Sequence, residues 1–166
     1  MRSLVIFTGQ YLIFIIGLIA IIATLLSEKT VRNNIIILAV ISSLVALAIA
    51  LVTGSLYYDP RPFVIDHFTP LIPHSSDNGF PSDHTLFGMV AAATVFIYHR
   101  KTGILLGILV ILVGVARVIA GIHHPIDIIG GVLIAIAATS IAWATLKVLS
   151  RKFPKLFDRF KSRHRL

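Results

Sequence analysis

The sequence predicts an all-α fold, a polytopic bundle of about five transmembrane helices with its chemistry in a loop on the outer face. Three observations predict it. Of the 166 residues, 57% are hydrophobic and only 13% are charged, where a soluble domain carries roughly 25% charge. Long apolar runs recur at Leu4 to Leu26, Ile35 to Leu56, Gly103 to Ala120 and Ile126 to Leu149, each near or above the ~20 residues that cross a hydrocarbon core. Basic residues gather in clusters between these runs and after the last one.

The first run is longer than the ~7–15 apolar residues of a secretory signal and no small-residue cleavage site follows it, so it reads as a retained helix. The second, Ile35 to Leu56, is a full span. The third, His84 to Tyr98, has ~15 residues and spans only where neighbouring protein covers its ends or the bilayer thins. The fourth and fifth are again long enough to cross. Between the second and third, Gly54 to Pro81 contains Pro60, Pro62, Pro70, Pro73 and Pro81, which predicts an irregular cap or a short interfacial segment. Residues 1–149 thus form one transmembrane domain with an outer loop at 54–83, and residues 150–166 a basic tail. In that tail Phe153, Leu156, Phe157 and Phe160 recur at helical spacing among Lys and Arg, the pattern of an interfacial amphipathic helix or of a solvated stop signal.

The formal charge of +8 is assigned to membrane topology, not to nucleic acid. Lys29 to Arg32, His99-Arg100-Lys101 and Lys147 to Arg165 follow the first, third and fifth runs, so alternate crossings place all three on one side. By the positive-inside rule that side and the C-terminus are cytoplasmic, and the chain belongs in a bacterial-type plasma (inner) membrane. Arg2, at the outer N-terminus, is a small objection to this orientation. Asp59, Asp66, Asp77, Asp83 and Asp127 fall on the outer side, Glu28 and Asp158 on the inner. With no cysteine, disulfides, thiolate metal sites and cysteine nucleophiles are excluded.

Counting crossings brings Arg61, His84, Arg117, His123 and Asp127 to the outer surface on four helix ends and the loop. In Tyr57-Tyr58-Asp59-Pro60-Arg61-Pro62-Phe63 the prolines stiffen the backbone around a guanidinium suited to bidentate phosphate recognition. In Phe80-Pro81-Ser82-Asp83-His84, Ser82 reads as the N-cap of the third helix, whose first-turn N–H groups suit an anion, and His84 can donate a proton. Arg117, in the last turn of an apolar helix, carries a charge that costs ~2.5–3.5 kcal/mol at mid-membrane and so needs a partner. Pro125 suits the first turn of the fifth helix, which puts Asp127 within reach of His123. A carboxylate on one imidazole nitrogen leaves the other free to attack or to accept a proton.

These stretches resemble the three motifs of the type 2 phosphatidic acid phosphatase superfamily, Lys-x6-Arg-Pro, Pro-Ser-Gly-His and Ser-Arg-x5-His-x3-Asp. Here they stand as Arg61-Pro62, Pro81-Ser82-Asp83-His84 and Ala116-Arg117-x5-His123-x3-Asp127, and the resemblance covers Gly54 to Gly131 with the flanking helices. It implies that His123 attacks phosphorus to form a phosphohistidine, that Asp127 orients it, and that His84 protonates the leaving oxygen. It also implies that Arg61, Arg117 and Ser82 hold the phosphoryl oxygens, with Asp83 counted among the phosphate-binding positions. Neither metal nor other cofactor is expected, and the partners are a lipid phosphate or diphosphate and the surrounding membrane lipid.

Three positions depart from the pattern: Gly54 for the first lysine, Asp83 for the second-motif glycine, and Ala116 for the third-motif serine. Gly54 is read as leaving room where the lysine would stand. The Pro-Arg-Pro-Phe stretch with Asp83 is most similar to the undecaprenyl-diphosphatase branch, which implies hydrolysis of undecaprenyl diphosphate to the monophosphate. Phosphatidylglycerophosphate or phosphatidic acid is the alternative substrate. From a different class, a lipid or ion transporter also lines cavities with His and Arg, though the internal pseudo-symmetry usual there is not found. A metal hydrolase using His123, His124 and Asp127 ranks low, because adjacent histidines in a turn point apart.

Overall fold

The computed structural model describes residues 1–153, so α7 takes in the first residues of the expected tail, and the part from 154 on lies outside the described residues. Seven helices follow in order: α1 (Arg2–Gln10), α2 (Leu12–Leu25), α3 (Lys29–Leu56), α4 (Pro62–Ile65), α5 (Asp83–Tyr98), α6 (Arg100–Ile119) and α7 (Pro125–Lys152). Among the described residues α3, α6 and α7 are each long and apolar enough to cross a membrane. The first apolar run is not a straight span. It breaks at Tyr11 into α1 and α2, bent by 43°, and counted as one span it makes four.

The third apolar run forms α5, which has 16 residues, about 24 Å at 1.5 Å per residue against a core of about 30 Å. Its surroundings explain how so short a helix holds its place. It packs against α2, α3, α6 and α7, and Leu86, Val90, Ala92 and Val95 are buried among them. A helix that is apolar all round belongs in the middle of a bundle. The outer helices instead turn Leu18, Ile21, Leu44, Leu51, Ile108 and Leu133 outward. So continuous an apolar exterior is the surface of a membrane protein.

Small residues set the spacing of these helices. A Cβ on Gly103 would lie 2.3 Å from the Phe96 backbone, so α5 and α6 form a hairpin that only glycine closes. One on Gly131 would lie 2.5 Å from Thr85 Oγ1, so the start of α5 rests directly on α7.

The long loop is irregular, as its prolines predict, apart from the single turn α4 and an isolated bridge between Pro60 and Asn78. Asn78 stitches it together. Its Oδ1 accepts from the backbone N–H of Asp59 at 2.9 Å and of Phe80 at 3.0 Å. Its Nδ2 donates to the carbonyls of Gly54 at 2.9 Å and Tyr57 at 3.0 Å. A small apolar cap of Ile72, Ala120 and Ile122, with Val5, Phe63 and Leu71 against it, seats the loop on the helix ends.

Candidate active site

The C-terminal parts of α3 and α6, the first turn of α5 and the turn before α7 meet at one end of the bundle. The cavity between them is about 330 Å³. Arg61, His74, Asp77, His84, Arg117 and His123 line its polar side, and Leu47, Ala50 and Leu51 of α3 its apolar side. A larger cleft of about 400 Å³, lined by Met89, Phe96 and Trp143 among others, has no ionisable lining residue, so the chemistry belongs to the polar one.

His123 is 2% exposed. Its Nδ1 lies 3.0 Å from Asp127 Oδ2, and its Nε2 lies 3.3 Å from Arg61 Nη1 and 3.4 Å from Arg117 Nη2. A carboxylate only accepts and a guanidinium only donates, so Nδ1 must carry the proton and Nε2 the lone pair. Burial, with help from Arg117 and Arg61, lowers the His123 pKa below its ordinary value in spite of Asp127. The ring is therefore a neutral imidazole whose free nitrogen faces two cations. Its position follows from local sequence: Pro125 opens α7, so Asp127 sits in the first turn, and its Oδ2 also accepts the His124 backbone N–H at 2.9 Å.

Arg61 is 4% exposed and fully engaged. Its Nε donates to Asp77 Oδ1 at 2.8 Å and its Nη1 to the Ile122 carbonyl at 2.8 Å. Burial pushes the Asp77 carboxyl up, but hydrogen bonds from Arg61 and Ser75 outweigh that and hold its pKa below the usual carboxylate value. Arg117 Nη1 donates to the Gly9 carbonyl of α1 at 3.1 Å, and its Nη2 faces His74 Nε2 at 3.3 Å. This is the partner that an intramembrane arginine needs. Its Nε is buried with no protein partner among the described residues.

The second motif is placed less simply. Ser82 is the N-cap of α5, as its sequence predicts, yet its side chain makes no capping bond. Its Oγ is buried without a partner among the described residues, and Ser82 is not among the residues lining the cavity. His84 and Asp83 do line it, the carboxylate of Asp83 being exposed. Gly54 lines it too, but the room expected there is narrow, because a Cβ would meet the Phe80 carbonyl oxygen at 3.2 Å.

Sequence reasoning missed His74, Asn78, Gly9 and the pairing of Asp77 with Arg61. Each acts across a long separation: His74 is 43 residues from Arg117, and Gly9 is 108. Burial, then Arg61, lowers the His74 pKa, so this ring too meets Arg117 as a neutral acceptor. The candidate metal set also changes. Asp59, His124 and Asp127, not His123, His124 and Asp127, bring donor atoms within 4.8 Å of one another. A cation there would compete with the bonds that Asp127 makes to His123 and to the His124 backbone.

Residues 33–151 match the model of the PAP2 superfamily. The chain belongs to that superfamily. Among relatives of this PAP2 chain, the undecaprenyl-diphosphatase BcrC of Bacillus subtilis (strain 168) is 34% identical over 81% of this chain and 69% of its own. The bacitracin transport permease protein BcrC of Bacillus licheniformis is 31% identical over 89% of this chain and 73% of its own. The crystal structure of Aquifex aeolicus LpxE superimposes with a TM-score of 0.56 at 19% identity, covering 86% of this chain and 93% of that one. At that identity the match speaks for the PAP2 fold alone. The match to the family model includes Arg61, Ser82, Asp83, His84, Arg117, His123 and Asp127, but not Gly9.

Proposed function

We propose that this PAP2 protein is a lipid phosphatase that hydrolyses undecaprenyl diphosphate to undecaprenyl phosphate and inorganic phosphate. The observation that carries the reading is the lone pair of His123 Nε2, held 3.3 Å from one guanidinium and 3.4 Å from another. A terminal phosphoryl group entering between Nε2 and the arginines presents its oxygens to Arg61 and Arg117 and its phosphorus to the nitrogen. The Nε2–P bond forms as the bond to the bridging oxygen breaks, and His84 protonates the departing lipid monophosphate. Asp127 stabilises the positive imidazole while the phosphohistidine lasts. Water, deprotonated by His84, then attacks phosphorus and releases inorganic phosphate, restoring His123. The two arginines stabilise the phosphoryl charge without a metal.

Leu47, Ala50 and Leu51 on the cavity wall support a lipid substrate, because they connect the charged centre to the apolar exterior of α3. The name borne by the Bacillus subtilis relative supports the diphosphate. On this reading α1–α2, α3, α5, α6 and α7 make five crossings, with the site on the outer face of a bacterial-type plasma membrane and the C-terminus in the cytoplasm. The Bacillus licheniformis relative carries a transport name, and one experiment separates the two activities. Purified protein is incubated in chelator with undecaprenyl diphosphate, phosphatidic acid and phosphatidylglycerophosphate, and free phosphate is measured. The diphosphate is expected to give the highest kcat/KM, and His123→Ala to give no release. Preference for another lipid overturns the substrate, loss of activity in chelator overturns metal independence, and full activity in His123→Ala overturns the mechanism.

A further inference from the structure

Asp127 is wholly buried, and although its Oδ2 takes two donors its Oδ1 has no hydrogen-bond partner among the described residues. Such an oxygen next to a nucleophile needs a donor to fix the carboxylate plane. Besides His123, two titratable groups stand close to Asp127: Asp59, from the first-motif loop, and His124, whose donor atoms lie with an Asp127 oxygen within 4.8 Å of one another. His124 Nδ1 is 3.0 Å from Asp59 Oδ2. The Asp59 backbone is itself clamped, its N–H to Asn78 Oδ1 at 2.9 Å and its carbonyl to the Gly79 N–H at 2.8 Å. Gly79 has no room for a side chain, since a Cβ would lie 2.9 Å from Asp127 Oδ2 and 3.1 Å from the Asp59 carbonyl oxygen.

We propose that Asp59 and His124 are positioning residues for the phosphatase reaction, joined to the nucleophile in a relay that runs His124, Asp59, Asp127, His123. The inference rests on His123 being that nucleophile. His124 Nδ1–H donates to one oxygen of Asp59, a proton on the other donates to the open oxygen of Asp127, and Asp127 receives Nδ1–H of His123. All four side chains are satisfied with one net negative charge, placed where the imidazolium of the intermediate needs it. Burial, then the neighbouring Asp127, raise the Asp59 pKa above the usual carboxylate value, against the pull of His124. The relay also ties the first-motif loop to the third motif, so Arg61 and His123 are set from one framework.

The test compares Asp59→Asn and Asp59→Ala in the full-length protein, with wild type and His123→Ala as references for lipid diphosphate hydrolysis. Asparagine can accept from His124 and donate to Asp127, so Asp59→Asn is expected to keep kcat within about threefold of wild type, whereas Asp59→Ala loses about tenfold to a hundredfold in kcat with KM unchanged. Nitrogen-15 shifts of the His123 ring, which read the tautomer without turnover, are expected to show Nδ1–H alone in wild type and Asp59→Asn, and a mixture in Asp59→Ala. Wild-type kcat and tautomer in Asp59→Ala, or an Asp59→Asn as impaired as Asp59→Ala, would overturn the relay and leave the phosphatase standing. A wild-type protein inactive on every lipid phosphate overturns the phosphatase, and the ring shifts then decide the relay by themselves.

Discussion

As the proposed nucleophile, His123 would attack through Nε2, because Asp127 holds the proton on Nδ1, and the two guanidiniums beside Nε2 oppose its protonation. The pH dependence follows with a definite sign. A lowered pKa means that the reactive neutral ring persists as pH falls through the ordinary histidine value of 6.5, so the acid limb of kcat/KM is expected below that value. An acid limb above it would contradict the burial of the ring. The alkaline limb reports the proton that His84 must supply, and a flat profile on both sides would remove the pair from the mechanism, the apparent values belonging to the coupled pair. His84→Ala is expected to lower kcat by about 10²–10⁴-fold with the fold intact, measured by turnover beside a thermal melt. At this scale the sequence was informative where chemistry is local: His123 and Asp127 are one helical turn apart, and Pro125 announces the helix that aligns them. It placed Ser82 at the start of α5 but not its side chain, which makes no capping bond, while the Ser82 N–H donates to the Asp127 carbonyl at 3.1 Å, a contact between helices that local sequence does not encode.

The loop carrying Arg61 owes its shape to Asn78, whose amide makes four bonds to backbone groups of Gly54, Tyr57, Asp59 and Phe80. No propensity rule finds such a clip, because its partners lie up to 24 residues away. Asn78→Ala is expected to destabilise the protein by about 1–3 kcal/mol. It should also lower kcat/KM through a raised KM, since Arg61 Nη2 faces the Asn78 carbonyl and the loop carries the proposed phosphate clamp; unchanged melting and kinetics would refute this account. The helices show the same division. Their existence was plain from apolar runs, while their contacts were set by glycines that composition cannot rank. Gly131→Ala is expected to push the first turn of α5, and His84 with it, away from α7. Its new Cβ meets Thr85 Oγ1 and, at 3.0 Å, the Ser82 carbonyl. The cost is about 1–3 kcal/mol, and a fall in kcat larger than the fall in melting temperature explains would distinguish misplacement of His84 from general loosening.

Across the described residues the polar cavity and the basic residues that open α3 and α6 occupy opposite ends of the bundle. Arg100 and Lys101 begin α6, and Arg117 ends it. Ser27 Oγ, on the turn between α2 and α3, meets His99 Nε2 at 2.7 Å and closes the basic end. That separation makes the proposed orientation testable, and a chain without cysteine is a clean host for it. Single cysteines at Ser75 and at Lys101, probed with an impermeant thiol reagent on intact cells, are expected to label at Ser75 only; labelling at Lys101 alone would invert the topology. The general plan was readable because hydrophobic length and charge asymmetry are properties of the chain itself. The bend at Tyr11 was not read, although Thr8-Gly9-Gln10 interrupt the apolar run just before it, and its use is supplied by a residue from α6. That bend has a practical corollary. The carbonyl that holds Arg117 belongs to Gly9, about 12 Å of helix from the first residue at 1.5 Å per residue, and lies before the stretch by which the family is recognised. An affinity tag fused ahead of Met1 is therefore expected to disturb the guanidinium that, on the proposed mechanism, cradles the phosphate. The same tag placed beyond the C-terminal end of α7 joins the far pole of the molecule, and kcat is expected to suffer in the first fusion and not in the second.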